Sequence, residues 1–483
     1  MKSLAKNSVW NMIYQAANVI FPLLSYMYVS RILLADGVGK VADAQNTVAY
    51  FTAIAALGLP EYAMRGIAGN KDRVQDRNRL FTEMLTLNTL YTTAALLLYA
   101  GCIIMLPGMR RELMLHVSCG LLIVLNYFNV DWFFQGMEEY GYIVGRNLLV
   151  KLLSVIALFV FVHSEDDVII YALISTFTMG GNYIFNAFYI RRFAKLDFSG
   201  LNLGRHMKPI LILMLTAMLG SIYHQVDITM LGILKTDANV AYYVYGSKII
   251  LIIVQICNAI PVVFMPRLVY YYRNDREKFE GLIDTGIRVL LFLAVPVSAA
   301  VFILAPGIVE LMFGPAFLPA AKTIRWLVPT IIIRSFGNLL CYELMLCTGN
   351  EKKRLPAYIA ATLSNVILNA CLITGMAENG AAIATVVCEL VVNGYQLNYI
   401  RKQVHIRLDK KALFQSMAST GVMIAAILCV NVIFRDRFIK LSVAVLVGSV
   451  VYLGMNLLMR NNMLCTVLQR ARRSILAVGT EKE

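Results

Sequence analysis

The feature that most limits what this chain can become is a succession of long apolar runs. They are separated by polar connections of at most about twenty residues. A helix needs roughly 20 apolar residues to cross a bilayer. With 59% of 483 residues hydrophobic and 15% charged, about 280 residues have to leave water, enough for about fourteen crossings. The runs fall near 9–30, 41–60, 82–106, 113–135, 143–163, 168–190, 210–231, 240–262, 287–309, 324–347, 357–376, 380–400, 412–434 and 439–459. The expected fold is therefore all-α, a polytopic membrane bundle of about 14 transmembrane helices. Continuous runs exclude an outer-membrane barrel, whose strands alternate apolar and polar residues in shorter segments. They also exclude a chain of soluble domains, so the bundle itself has to carry the function.

The formal charge of +15 would suit a nucleic-acid binder only if the basic residues shared one wet face. Instead they alternate with the apolar runs and read as topology. With the N-terminus inside, cytoplasmic segments hold about 29 Lys and Arg against about 9 outside, which places both termini in the cytoplasm. The strongest cytoplasmic loops are 65–79, 191–208, 267–278, 351–354 and 401–411, and the acidic loop 164–167 lies outside. Two connections run against the trend: Glu138 and Glu139 are acidic where the rule wants bases, and Arg435, Arg437 and Lys440 are basic outside. Lys2 and Lys6 ahead of an apolar run imitate a secretion signal. Asn11, Gln15 and Asn18 interrupt that run and no cleavage site follows, so it reads as a retained first span.

The nine cysteines include no C-x-x-C and sit mostly in apolar runs, as small packing residues without a metal or redox role. H-E-x-x-H, G-x-S-x-G and P-loop signatures are absent, so no catalytic group is expected. His116, His163 and His224 fall near outer span ends, and tyrosines such as Tyr270, Tyr271 and Tyr272 form an interfacial belt. Pro22, Pro261, Pro266, Pro296 and Pro329 are placed to bend helices.

Charges inside spans are where chemistry is expected, because a cation at the helix centre costs a few kcal/mol unless it meets a partner or a watery cleft. Arg146 and Arg288, within a turn of the cytoplasmic face, are expected to snorkel to the headgroups. Lys151, Lys248, Arg325 and Arg334 lie deeper or at span edges. The in-span acids are Asp131, Asp227, Glu343 and Glu389. Depth counting pairs Asp227 with Lys248 and Glu389 with Arg334, either as structural ion pairs or as groups that change protonation in a transport cycle.

A weak internal echo links residues 32–39 with 233–241 and divides the chain into a first six-helix lobe (1–205), a second (206–405) and two added helices with a basic tail (406–483). Parallel repeats of this kind recur in alternating-access transporters.

The stretch Asn126–Glu138, with Asp131, Trp132, Phe133, Phe134, Gln135 and Gly136, resembles the W-F-x-Q-G-x-E signature of polysaccharide-unit flippases. These are the Wzx-type proteins, the polysaccharide-transport branch of the multidrug/oligosaccharidyl-lipid/polysaccharide (MOP) exporter superfamily. Gly58–Ile67, with Tyr62 and Arg65, resembles that family's G-x-x-x-Y-x-x-R-x-I. Asp227–Gly232 with Tyr243 and Lys248, Leu304–Phe317, Gly349–Lys352, Asn365–Asn369 and Gly380–Glu389 continue the likeness in order over about residues 1–400. One departure is Gly66, where the family often carries an acid.

The resemblance implies a flippase for undecaprenyl-diphosphate-linked oligosaccharide units in a bacterial inner membrane, serving O-antigen, capsule or exopolysaccharide assembly. Its partners would be the lipid-linked oligosaccharide, the bilayer, a polysaccharide polymerase and assembly proteins, with no nucleic acid and no cofactor. Residue chemistry agrees: a sugar on a diphosphate needs a hydrated cleft with cations. Lys151, Lys248, Arg325 and Arg334 are expected to contact the headgroup, Arg65 to guard the cytoplasmic entrance, and Asp227, Glu343 and Glu389 to couple transport to a proton or sodium gradient. The competing readings are a multidrug/cation antiporter, which would want an anionic cavity, a membrane polymerase or glycosyltransferase, which would want a large outer loop and an exposed catalytic acid, and an assembly scaffold indifferent to the in-span charges.

Overall fold

In the computed structural model the described residues are 4–56, 58–406, 409–434, 436–461 and 464; side chains are described outside 4–17, 212–224, 260–262, 351 and 352. The sequence readings of Asn11, Gln15, His224, Pro261, Arg435 and the basic tail fall outside these. The chain is helical, and helix runs through every one of the expected apolar segments. Among the described residues eight helices are long and apolar enough to cross a membrane, or nine when one bent pair is counted as a single span. Two compact units divide the chain, Met1–Tyr242 and Tyr243–Glu483.

In the first unit the helices are α1 (Leu4–Ile32), α2 (Leu34–Ala56), α3 (Leu59–Gly69), α4 (Val74–Met105), α5 (Leu113–Leu125), α6 (Asp131–Gly136), α7 (Tyr140–Phe161), α8 (Val168–Gly180), α9 (Asn182–Tyr189) and α10 (Gly204–Leu234). Here α2 packs on α4, α5 and α10, α1 on α7, and α5 on α8. Several spans are broken. Helix α5 gives way at residues 126–130 before α6, and α8 meets α9 at a bend of 42°. Most of the expected loop 65–79 is helical: α3 runs to Gly69, only residues 70–73 turn, and α4 then begins. Hydropathy registers the polarity of these residues but not whether their backbone groups are paired.

The two motifs that carry the family likeness pack against each other in this unit. Trp132, Phe133 and Phe134 are almost wholly buried with Leu59, Ala63, Ile67 and Phe81 in one core. The Phe81 and Phe133 rings meet edge-on at 5.4 Å, an arrangement aromatic quadrupoles favour. A Cβ at Gly136 would lie 2.9 Å from the Met64 carbonyl and from Ile67, so this glycine is what lets α6 close on α3.

The second unit contains α11 (Asp237–Val262, which straddles the boundary), α12 (Arg276–Phe313), α13 (Ala320–Leu327), α14 (Pro329–Gly337), α15 (Leu355–Ile400), α16 (Lys410–Ile433) and α17 (Arg437–Leu458). α12 packs on α14, α16 and α17, and α15 on α13 and α14. Pro296 and Pro306 lie inside α12, and α14 runs into a π-helical turn, Asn338–Glu343. α15 spans 46 residues but is broken at Ala377 (φ 48°, ψ −129°). A Cβ at Gly380 would collide with the Leu372 carbonyl. In a continuous helix residues eight apart stand about 12 Å from one another, so the chain doubles back here.

Both exceptions to the charge pattern have partners. Glu138 pairs with Lys71 at 3.0 Å, and Arg437 pairs with Glu310.

Candidate functional site

Among the described residues, two charged clusters in the first unit and one in the second stand out. The second unit holds the pair that depth counting anticipated. Arg334, on α14, donates from Nε to Glu389 Oε1 at 2.8 Å, with the two side chains 23% and 9% exposed. Asn393, one turn beyond Glu389 on α15, donates to the Glu389 carbonyl at 2.8 Å and to Oε2 at 3.3 Å. A Cβ at Gly337 would fall on the Asn393 amide, so α14 approaches α15 closely here. Glu343, in the π-helical turn, is 3% exposed; Asn338 donates to its Oε1 at 3.1 Å and its Oε2 has no hydrogen-bond partner.

The other sequence-chosen cations are spread along their units. Lys248 is half-buried on α11, with Nζ 5.4 Å from the Tyr245 ring centroid. Arg325 is exposed and donates to the Phe302 carbonyl at 3.0 Å. In the first unit Lys151 is half-buried on α7 and donates to Asn18 Oδ1. Arg65 is exposed and pairs with Glu61 one turn earlier at 2.5 Å. Asp227 is buried on α10 at 4% exposure, beside a polar seam in which Asn46 and Tyr50 of α2 each meet Thr229 Oγ1 at 2.8 Å.

Arg146 does not snorkel. Its side chain is 3% exposed and donates to Asp131 Oδ1 at 2.7 Å and to Asn186 Oδ1, while Asn186 Nδ2 also donates to Asp131 at 2.7 Å. The guanidinium lies 5.2 Å from the Tyr142 ring centroid, and Tyr142 stacks on Tyr189 at 3.9 Å. The break between α5 and α6 makes this possible by placing Asp131 at a helix start beside α7 and α9. Arg288, on α12, is part-exposed and paired with Asp409 at 3.2 Å.

The third cluster, at the basic end of the first unit, escaped the sequence reading. The connector between α9 and α10 is strapped along the first turns of α4. Arg77 donates to the Phe193 carbonyl at 2.9 Å, the Asp197 amide to Thr82 Oγ1 at 2.8 Å, the Asn202 amide to Glu83 Oε1 at 2.9 Å, and Arg79 to the Gly200 carbonyl. Glu83 is fully buried; its Oε2 takes Arg205 at 2.5 Å and His206 at 2.9 Å, and His206 Nδ1 meets the Tyr62 hydroxyl at 2.8 Å. The available signal was one acid at the start of a span facing a connector rich in bases.

Comparison with known proteins places this geometry. The family profile described as "Polysaccharide biosynthesis protein" matches residues 4–271, and that described as "Lipid II flippase MurJ" matches residues 146–452. Each profile covers more than half of the sequence, so the chain belongs to the polysaccharide biosynthesis protein family and shares the lipid II flippase profile; it is a transporter and not an enzyme. A protein of Escherichia coli (strain K12) named an O-antigen transporter is 22% identical over 402 residues, 83% of this chain and 97% of its own. Among solved structures, the lipid II flippase MurJ in an inward closed conformation superposes with a TM-score of 0.70 at 14% identity, covering 95% of this chain and 100% of that one. An inward-facing multidrug resistance MATE family transporter of the MOP superfamily gives 0.65 at 16% identity, with 79% and 93% covered. These two likenesses establish the fold as a MOP-type polytopic bundle.

Proposed function

We propose that the protein flips undecaprenyl-diphosphate-linked oligosaccharide units from the cytoplasmic to the outer leaflet of a bacterial inner membrane, for O-antigen, capsule or exopolysaccharide assembly. The observation that carries this reading is that a polysaccharide-biosynthesis profile and a lipid-flippase profile together span residues 4–452. The in-span charges fit it: a diphosphate is stable in a low-dielectric bundle only where cations and water replace its hydration. Lys151, Lys248, Arg325 and Arg334 supply those cations and Arg65 stands at the cytoplasmic entrance. Both termini lie in the cytoplasm. Lobes of residues 1–205 and 206–405 rock about the cleft, with residues 406–483 appended. Asp227, Glu343 and Glu389 take up and release the coupling proton or sodium ion. The delivered units pass to a polysaccharide polymerase and its assembly proteins.

The test is the leaflet in which lipid-linked oligosaccharide accumulates when the protein is depleted in its own host. An impermeant sugar probe reads this before and after permeabilising the inner membrane. Accumulation inside is the expected result. Units appearing outside at the normal rate would sink the proposal.

A further inference from the structure

Beside the connector strap lies a half-open cavity of about 420 Å3, lined by Tyr62, Gly66, Asn70, Arg79, Arg205 and His206 among others. This volume lies within the range of about 300–1,000 Å3 typical of small-molecule sites. It is formed by α3, the start of α4 and the start of α10, a turn outside the apolar runs beginning at 82 and 210, which is the level of the headgroups.

We propose that this cavity is a binding site for a phosphate or diphosphate group on a membrane-anchored headgroup, separate from the in-span cations. Two guanidiniums, Arg79 and Arg205, give its wall positive charge, while the His206 ring is engaged by Glu83 and Tyr62 and the Asn70 carboxamide donates to the Gly66 carbonyl. The one acid that lines it, Asp76, is 60% exposed and lies 4.0 Å from Arg73. Glu83 lies behind the wall, and its oxygens already accept from the Asn202 amide, Arg205 and His206. A buried carboxylate in that position fixes the guanidinium and the imidazole, which is how a phosphate site is preorganised. The buried Arg79 Nε has no hydrogen-bond partner and stands 3.6 Å from Glu83 Oε1.

Gly66 also lines the cavity, so that part of the wall carries no side chain and no charge against an anion beside the two arginines. Assigning the headgroup to the transported unit rests on the flippase reading. Binding of the phosphate chemistry does not.

The experiment uses the full-length protein in phosphatidylcholine nanodiscs, titrated with inorganic diphosphate by calorimetry. Arg79→Gln and Arg205→Gln should each weaken binding roughly tenfold, the effect of losing one charge-assisted hydrogen bond. Gly66→Asp should weaken it similarly. Its new Cβ meets only the end of the Leu80 side chain, at 2.8 Å, so the fold can accommodate it. Arg205→Lys, which keeps the charge and loses the planar fork, should fall between. Thermal midpoints and gel filtration report whether each variant is folded.

Repeating the titration with phosphatidylglycerol in the disc distinguishes the sources. Competition that depends on Arg205 means the cavity takes a phospholipid headgroup; unchanged diphosphate binding means it takes the carrier's diphosphate or the soluble ion. Absent binding in the wild type, or affinities within twofold across Arg79→Gln, Arg205→Gln and Gly66→Asp, would overturn the proposal. The leaflet assay separates the two readings: Arg205-dependent binding without flipping defeats only the flippase reading, and flipping without diphosphate binding defeats only this one.

Discussion

Arg146→Leu should destabilise the protein by about 3 kcal/mol, because it strands a carboxylate inside the first unit. The guanidinium is 3% exposed and serves Asp131, Asn186 and, at 3.5 Å, the Asn182 carbonyl. Breaking a buried pair by removing one partner costs about 3–5 kcal/mol. The lower end applies because Asp131 is 24% exposed and keeps the Asn186 amide at 2.7 Å. Asp131→Asn leaves the more deeply buried cation unpaired and should cost at least as much. In the double variant the remaining carboxamides of 131 and 186 can bond each other, so its cost should fall short of the sum of the single costs by about 1.5 kcal/mol or more. Unfolding in mixed micelles, followed by the fluorescence of Trp132, which is 1% exposed beside Asp131, measures all three. Additivity within about 0.5 kcal/mol, or single losses below about 1 kcal/mol, would refute the reasoning.

Gly337→Ala drives a Cβ into the Asn393 amide that also holds Glu389, and overpacking of this kind costs about 1–3 kcal/mol; a wild-type thermal midpoint would contradict the close approach. Charge removal should lower flipping more at Arg334, held by Glu389, than at Arg325, whose exposed guanidinium already donates to a carbonyl; equal losses in the leaflet assay would erase that distinction. Asp409→Ala removes both the cap on the Ala412 amide and the partner of Arg288, a loss of about 1–2 kcal/mol readable as a lower denaturation midpoint. At the start of α12 the Lys278 ammonium and amide hold the Asp275 carboxyl below the usual carboxylate range. A depressed folded value means the contribution is complete above about pH 4 and is lost as pH falls through the folded value. Asp275→Asn should therefore flatten the acid side of the melting profile, and an unchanged slope would show that the cap carries no proton linkage.

What the sequence made legible follows from what hydropathy and depth counting measure. Continuous apolar runs report transfer out of water, so the all-helical bundle was readable, and the Arg334–Glu389 pair emerged because both residues sit near the middle of their spans. Arg146 was misread because depth was counted along an unbroken helix. The break after Leu125 moves Asp131 and supplies a partner that no span-by-span count contains. The Glu83 cluster was invisible for a related reason. Its members come from residues 62, 79, 83, 205 and 206, and only the strapping of the connector along α4 brings them together. The motif likeness located Trp132 and Gly136, but their packing on Ile67 appears only in three dimensions.

The break at Ala377 has a consequence for how the protein is made. Two apolar stretches share the 46 residues Leu355–Ile400, and only Glu378 and Asn379, themselves joined at 3.0 Å, separate the break from the close contact at Gly380. With no polar tether to wait in the aqueous phase, the first stretch cannot settle in the bilayer and leave the second behind without stranding an apolar helix in water, at about 25 cal/mol per Å2 of apolar surface. The pair must therefore leave the insertion machinery together as one hairpin. A reporter fused after residue 377 would then describe a truncated intermediate rather than the topology of the finished chain.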